Sequence, residues 1–404
     1  MSPNSISRLQ PWRFVAAFAA IMVLGGCASF SADGGFGPVE QTARERLSKD
    51  LRWARSAGDR EALAQRVQGL LALPLTADDA VQVALLNNRG LQADFAELGI
   101  GSADRVQAGR LPNPGFSFAR TTRGDEVELE RGLHINLARL IAMPLIQQAE
   151  ARRFTQTQGR VAMAALSLAA QTRKAYYQAL AAEETVRYMR QVKQAAEASA
   201  ELARRMQQVG NFNKLQRARE QAFYAEAALN LARAEQAQRA TRERLTRLLG
   251  VWGEQTAFTL PERLPDLPNA AEDRPDIERV AMAQRLDVQG AKLMAEQTAK
   301  NLGLTKTTRF INVLELGYAY NSSNEGPTQR GWEISVELPL FDWGGARVAR
   351  AEAVYMQAVN RAAQTAINAR SEVREAYGAY RSAYKGNSTL ISQPRWVGPS
   401  FEEL

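Results

Sequence analysis

The chain has 404 residues, roughly two to three domains' worth, with 45% apolar and 23% charged residues. That composition excludes a disordered chain, and no apolar run after the signal-like start is long enough to span a bilayer as a helix, so a polytopic helical membrane protein is excluded too. One Cys and one His exclude zinc, iron–sulfur and His-cluster sites, an intrachain disulfide and a His-based triad; the net charge of +8 is spread along the chain as solvated helix faces, without a nucleic-acid patch.

Arg8 and Arg13 precede an apolar run from Phe14 to Leu24, and small residues lead to the only cysteine in Leu24-Gly25-Gly26-Cys27. Such a short run reads as a secretory signal. The Leu-small-small-Cys pattern resembles a bacterial lipobox, which implies removal of residues 1–26 and lipidation of Cys27 by a thioether-linked diacylglycerol and an acylated amine. Two or more acyl chains give stable anchoring. Ala28 stands where an inner-membrane retention signal has Asp, which points to outer-membrane sorting. Residues 27–74 are then a lipid-anchored segment with a polar helical prelude at 41–72.

The body reads as an internal duplication, with repeat 1 at 75–250, a Pro-rich linker at 251–275 and repeat 2 at 276–388. Thr76 and Asp79 have capping-box spacing ahead of a helix running through Ala84, Leu85 and Leu91 to Val106. A shift of 197 places Ala84, Asn88 and Leu91 on Ala281, Arg285 and Val288; a shift of 201 places Leu133, Ile135 and Arg173-Lys174-Ala175-Tyr176 on Ile334, Val336 and Arg374-Glu375-Ala376-Tyr377. A duplication constrains the fold more than any single motif does.

Each repeat holds a β-hairpin, over 114–139 and 310–340. In the first, Phe116 and Phe118, a tip at 121–125, and Val127, Leu129, Leu133 and Ile135 alternate with polar residues; in the second, Leu314, Leu316, Tyr318 and Tyr320, then Trp332, Ile334 and Val336, do the same. The alternation fits transmembrane barrel strands and a half-buried soluble sheet equally well. A membrane barrel needs about eight strands, so spanning strands require an oligomer, and a trimer supplies twelve.

Helices fill the rest: a long hairpin over 145–249 and a helix over 344–385. Between about Leu145 and Val209 only Gly159 interrupts the good helix formers, a reach of about 98 Å. Leu168, Thr172, Ala175, Ala179, Ala182, Val186 and Met189 form a coiled-coil seam, answered by Leu215, Ala218, Ala222, Ala225, Leu229 and Ala232. Gly210, Asn211, Phe212, Asn213 and Leu215 form the turn between them.

This arrangement resembles the lipoprotein branch of the TolC-like outer-membrane efflux channels over about residues 24–388. The lipobox, the Leu75-Thr76 opening through Ala84-Leu85, Pro112-x-Pro114, the Gly210-to-Leu215 turn and Pro339-Leu340-Phe341-Asp342-Trp343-Gly344-Gly345 carry the resemblance. It implies a mainly α fold with a small β part: a homotrimer with an α-barrel tunnel of antiparallel coiled-coil helices and a 12-stranded transmembrane β-barrel. It further implies a passive conduit in the outer membrane, in contact with its lipid, serving a periplasmic adaptor and an inner-membrane pump. On the same basis the turn at Gly210, Asn211, Phe212, Asn213 and Leu215 is an adaptor-contact tip, and Pro339, Phe341, Asp342, Gly344 and Gly345 form a strand-to-helix junction.

Two features depart from that pattern. The junction of repeat 1, Leu137 to Pro144, lacks the Gly-containing turn, and the heptads stop near Gly386, with an aberrant tail at 389–404. Repeat 2 is therefore read as incomplete, lacking its returning helix, and the resulting channel as impaired.

The reading from another class is a lipid-anchored periplasmic coiled-coil scaffold or adaptor. No enzyme, cofactor or metal site is expected: Asp78/Asp79 and Glu183/Glu184 are adjacent on helices and do not share a face, His134 lies on the polar side of a strand, and no phosphate-binding glycine loop occurs. Nucleic acid is excluded as a partner by the export signal. Drugs, solvents and metal ions all suit a wide aqueous tunnel, and the substrate and pump type stay open.

Overall fold

The computed structural model describes residues 29–392 apart from 267, 269, 309–313, 338 and 339. Cys27 with the signal segment, Pro339 and residues 393–404 lie outside the described residues.

In chain order come α1 (Gly37–Leu47), α2 (Ala57–Leu71), α3 (Ala77–Asn87), α4 (Arg89–Ala108), β1 (Gly115–Arg123), β2 (Glu126–Asn136), α5 (Leu137–Gln208), α6 (Lys214–Leu249), α7 (Ile277–Gln284), α8 (Leu286–Thr308), β3 (Leu314–Ser323), β4 (Gln329–Val336) and α9 (Gly345–Ser392). A short 3₁₀ turn, Gly253–Ala257, opens the linker. Two compact units are built from this chain: Leu98–Thr157 with Ile277–Arg374, and Phe36–Glu97 with Gln158–Asp276 and Glu375 onward.

The helical unit holds the main core. Thr76 caps α3, its hydroxyl accepting from Asp79 N at 3.1 Å, as the spacing predicts. Leu75, Val83, Ala84 and Leu86 pack with Ala175, Tyr176, Ala179 and Leu180 of α5 and with Leu245 and Leu249 of α6. Ala175 and Ala179 of the predicted α5 seam permit this close approach, whereas the answering line on α6, Leu215, Ala218, Ala222, Ala225, Leu229 and Ala232, is exposed and Ala227 is buried instead. Gly250 ends α6 at φ +68°, and a Cβ there would stand 2.9 Å from the Asn87 carbonyl, so only glycine fits.

The linker is laid onto this core by charge. Arg242 pairs with Glu183 at 3.2 Å, stacks over the Phe258 ring at 4.3 Å and donates to the Phe258 carbonyl; Glu184 accepts from Leu264 N. Glu183 and Glu184 thus point to different partners and hold the linker.

The other unit carries one four-stranded antiparallel sheet, in the order β1-β2-β3-β4. Its two hairpins are tied at their tips by Asn324, whose side chain accepts from Val127 N at 2.7 Å and donates to the Asp125 carbonyl at 2.9 Å.

The structure corrects several expected boundaries. The first helix of repeat 1 breaks at Asn88, which is extended at ψ 119°. Its Oδ1 accepts from Leu91 N at 3.1 Å and its Nδ2 donates to the Leu248 carbonyl at 3.1 Å, interactions that a continuous helix does not offer. Helix α5 starts at Leu137, not near 145, because Asn136 caps it through Arg139 N at 2.7 Å; Pro144 sits inside it. Strand β1 runs through 121–123, leaving the turn to Gly124 at φ +64° and Asp125. Finally, α9 continues through Gly386 to Ser392, past the expected end at 385.

Candidate functional site

The register sorts the strand residues into two unlike faces. Residues directly opposite on neighbouring strands share a face, so Phe116, Leu133, Tyr318 and Trp332 form one row across the whole sheet. They are 69%, 47%, 36% and 75% exposed, an arrangement no water-facing sheet favours. Ile135, Leu316 and Ile334 form the row below, and Leu314 with Val336 the row nearest the helices.

The opposite face is small and acidic. Gly115, Ser117, Ala119, Gly132, Gly317, Ala319 and Gly331 line it together with Glu126, Glu128, Glu130, Glu315 and Glu333. His134 lies here, exposed, and covers Gly115: a Cβ on Gly115 would fall 2.0 Å from His134 Nε2.

Both sheet edges, on β1 and β4, are unpaired among the described residues. Open edges with an apolar outer face are tolerated in lipid only when further strands close them. Among the described residues no helix is long and apolar enough to cross a membrane.

The turn predicted at 210–215 is a tight helical hairpin tip. Gly210 takes φ +84°, Asn211 N and Phe212 N donate to the Met206 carbonyl at 2.9 and 3.2 Å, and Asn213 caps α6 in a reciprocal box with Gln216. Val209 and Leu215 are 70% and 59% exposed there, large apolar groups left open to solvent among the described residues. Just behind the tip Glu201 accepts from both Arg204 and Arg205, whose guanidinium groups lower its carboxyl to about 2.

At the repeat 2 junction, Asp342 accepts from Gly344 N at 2.8 Å, Gly344 turns at φ +73°, and its carbonyl receives Val348 N to open α9, which begins at Gly345. Phe341 is 99% exposed beside exposed Leu340 and Trp343. The junction and the tip are separate places on the chain.

Reading along the chain does not single out Arg120, Arg131 and Arg330. The signal is their parity: each lies at an apolar-face position of its strand, where a charge is out of place.

No family model and no curated protein matches the chain. Solved structures do. A membrane protein from Pseudomonas aeruginosa is similar with a TM-score of 0.66 at 19% identity, over 78% of this chain and 79% of that one. The CmeC outer membrane channel of Campylobacter jejuni follows at 0.64 and 18%, over 78% and 73%. The outer membrane protein VceC of Vibrio cholerae stands at 0.62 and 16%, over 81% and 83%. The chain has the fold of these membrane proteins, the CmeC channel among them: long helices with a small antiparallel sheet. The resemblance read from the sequence is borne out at the level of fold.

Proposed function

We propose that the protein is the outer-membrane channel of a tripartite efflux system. Three copies close their open edges into a twelve-stranded barrel, with the Phe116–Leu133–Tyr318–Trp332 row toward lipid and the glycine-rich face toward the lumen. The helices form a periplasmic tunnel, Cys27 carries the lipid anchor, and the tip around Gly210 and Leu215 meets a periplasmic adaptor coupled to an inner-membrane pump. The channel is a passive conduit and does no catalysis.

The observation that carries this reading is the exposed apolar row on a sheet with two open edges. The shared fold with solved outer-membrane channels supports it. A periplasmic scaffold or adaptor has no use for such a sheet, since in water both the row and the edges are aggregation liabilities.

The test is expression with the native signal, followed by fractionation. Outer-membrane oligomers that dissociate only on heating, with the hairpins shielded from protease, are expected. Monomers confined to the soluble periplasmic fraction would refute the reading.

A further inference from the structure

We propose that Arg120, Arg131 and Arg330 form a tier that binds the phosphate groups of the outer-leaflet glycolipid. The inference rests on the reading of the sheet as a membrane-barrel wall and adds a ligand to its outer surface.

Charge on the sheet is segregated by face. On the apolar side the strands carry Arg120, Arg131 and Arg330 and no carboxylate; the opposite side carries Glu126, Glu128, Glu130, Glu315 and Glu333 with Arg123. Among the described residues none of the three arginines pairs with an acid. Arg131 and Arg330 instead flank one ring: their guanidinium carbons lie 5.6 and 5.7 Å from the centroid of Tyr320, and Arg131 donates to Ser322 Oγ at 3.3 Å. Arg131, Tyr320 and Arg330 occupy one register row with Phe118, and Arg120 lies one row farther toward the tips, opposite Leu129.

Height places this tier at an interface. All strand-to-helix connections leave one end of the sheet, so the hairpin tips mark the far end. Rows follow one another every 6.8 Å or so along a strand, and strands tilt by about 40°, so the two arginine rows stand about 16 and 21 Å above the Leu314–Val336 row. The apolar band is about 25 Å tall, and its lower end is assigned to the exposed Leu340, Phe341 and Trp343, which follow β4 in the chain. Its upper limit therefore falls at the arginines, beside the aromatic rings of Phe118 and Tyr320.

An unpaired guanidinium facing hydrocarbon is costly, whereas one at headgroup depth gains bidentate bonds to phosphate oxygens. Stacking on Tyr320 holds two of the three groups in place without neutralising them, which leaves their charge for an anionic ligand.

The test uses the full-length protein inserted in phosphatidylcholine vesicles doped with diphosphorylated lipid A or with its dephosphorylated form. Retention of the doped lipid through detergent extraction is measured. The wild type is expected to retain the phosphorylated form selectively, and Arg120→Gln/Arg131→Gln/Arg330→Gln to retain roughly a hundredfold less. The corresponding triple Lys variant is expected to recover only part of the binding, because it keeps the charge but loses the bidentate bonds and the stacking on Tyr320. Equal retention of both lipids by inserted wild type overturns the proposal and leaves the barrel reading standing. If the hairpins of the wild type remain open to protease in the same vesicles, the barrel reading fails and this inference with it.

Discussion

Asn88 and Arg285, 197 positions apart, interrupt the same helix in each repeat: α3 gives way to α4 at the first and α7 to α8 at the second. Each break is held by its own polar side chain. Asn88 reaches the end of α6, while Arg285 binds Asp287 at 2.7 Å and Glu372 at 2.8 Å. The repeats agree elsewhere too. Arg173 pairs with Asp78 in the first turn of α3, and Arg374, its equivalent, with Glu278 in the first turn of α7.

Asn88→Ala removes a cap and a tertiary hydrogen bond together, an expected loss of about 1–2 kcal/mol. Gly250→Ala, forced against the Asn87 carbonyl at a positive φ, is expected to cost about 1–3 kcal/mol. Thermal unfolding followed by helical circular dichroism measures both. Unchanged midpoints would show that the α3–α6 junction is not built as described.

Arg285→Gln tests the second break by pH. Hydrogen bonding to Arg285 holds the Asp287 carboxyl below its ordinary 3.8. A lowered carboxylate value contributes stability above the ordinary value and loses it as pH falls through the folded one. The variant is therefore expected to be about 1 kcal/mol less stable at neutral pH and to converge with the wild type in acid. A difference that stays constant into acid would remove Asp287 from the account.

Face asymmetry in the sheet makes a sharp pair of variants. Leu133→Arg puts a charge in the apolar row and is expected to cost about 2–4 kcal/mol in the bilayer, lowering the yield of outer-membrane oligomer. Ala319→Arg, on the opposite face, is expected to leave the yield near wild type and alter conductance. Equal loss from both would mean that neither face meets lipid.

At the hairpin tip, stability can be separated from the proposed docking role. Gly210→Ala meets no atom within 4 Å and is expected to cost about 1 kcal/mol from its left-handed backbone alone. Leu215→Asp is expected to leave unfolding unchanged, since Leu215 is exposed, and to abolish cross-linking to the adaptor and restored efflux. Full cross-linking by Leu215→Asp would remove the tip from the docking surface.

Acid should loosen that tip locally. Glu201 ties down Arg204 and Arg205 with its carboxyl lowered from 4.5 to about 2. Protection of the tip amides from hydrogen exchange is expected to hold above the unfolded value and decline as pH falls toward 2. Glu201→Gln should show the weakened protection already at neutral pH.

The sequence by itself determined the elements whose cause is local. Alternation marks the strands, Thr76 and Asp79 mark a cap, Gly210 with Asn213 marks a turn, and the duplication follows from spacing alone. Local pattern also misleads where a distant partner intervenes. Apolar periodicity runs straight through Asn88, yet the carbonyl of Leu248 offers its amide a better bond than solvent does. The sequence places the start of the long helix at 145, after Pro144, yet the Asn136 cap starts it ahead of that proline.

Only the tertiary structure decided which strand residues share a row, and so that the sheet has a basic apolar face and an acidic small-residue face. Register couples residues some 200 positions apart, such as Arg131 and Tyr320. Hydrogen bonding across a sheet depends on which strands meet and in what alignment, and no stretch of chain carries that information alone.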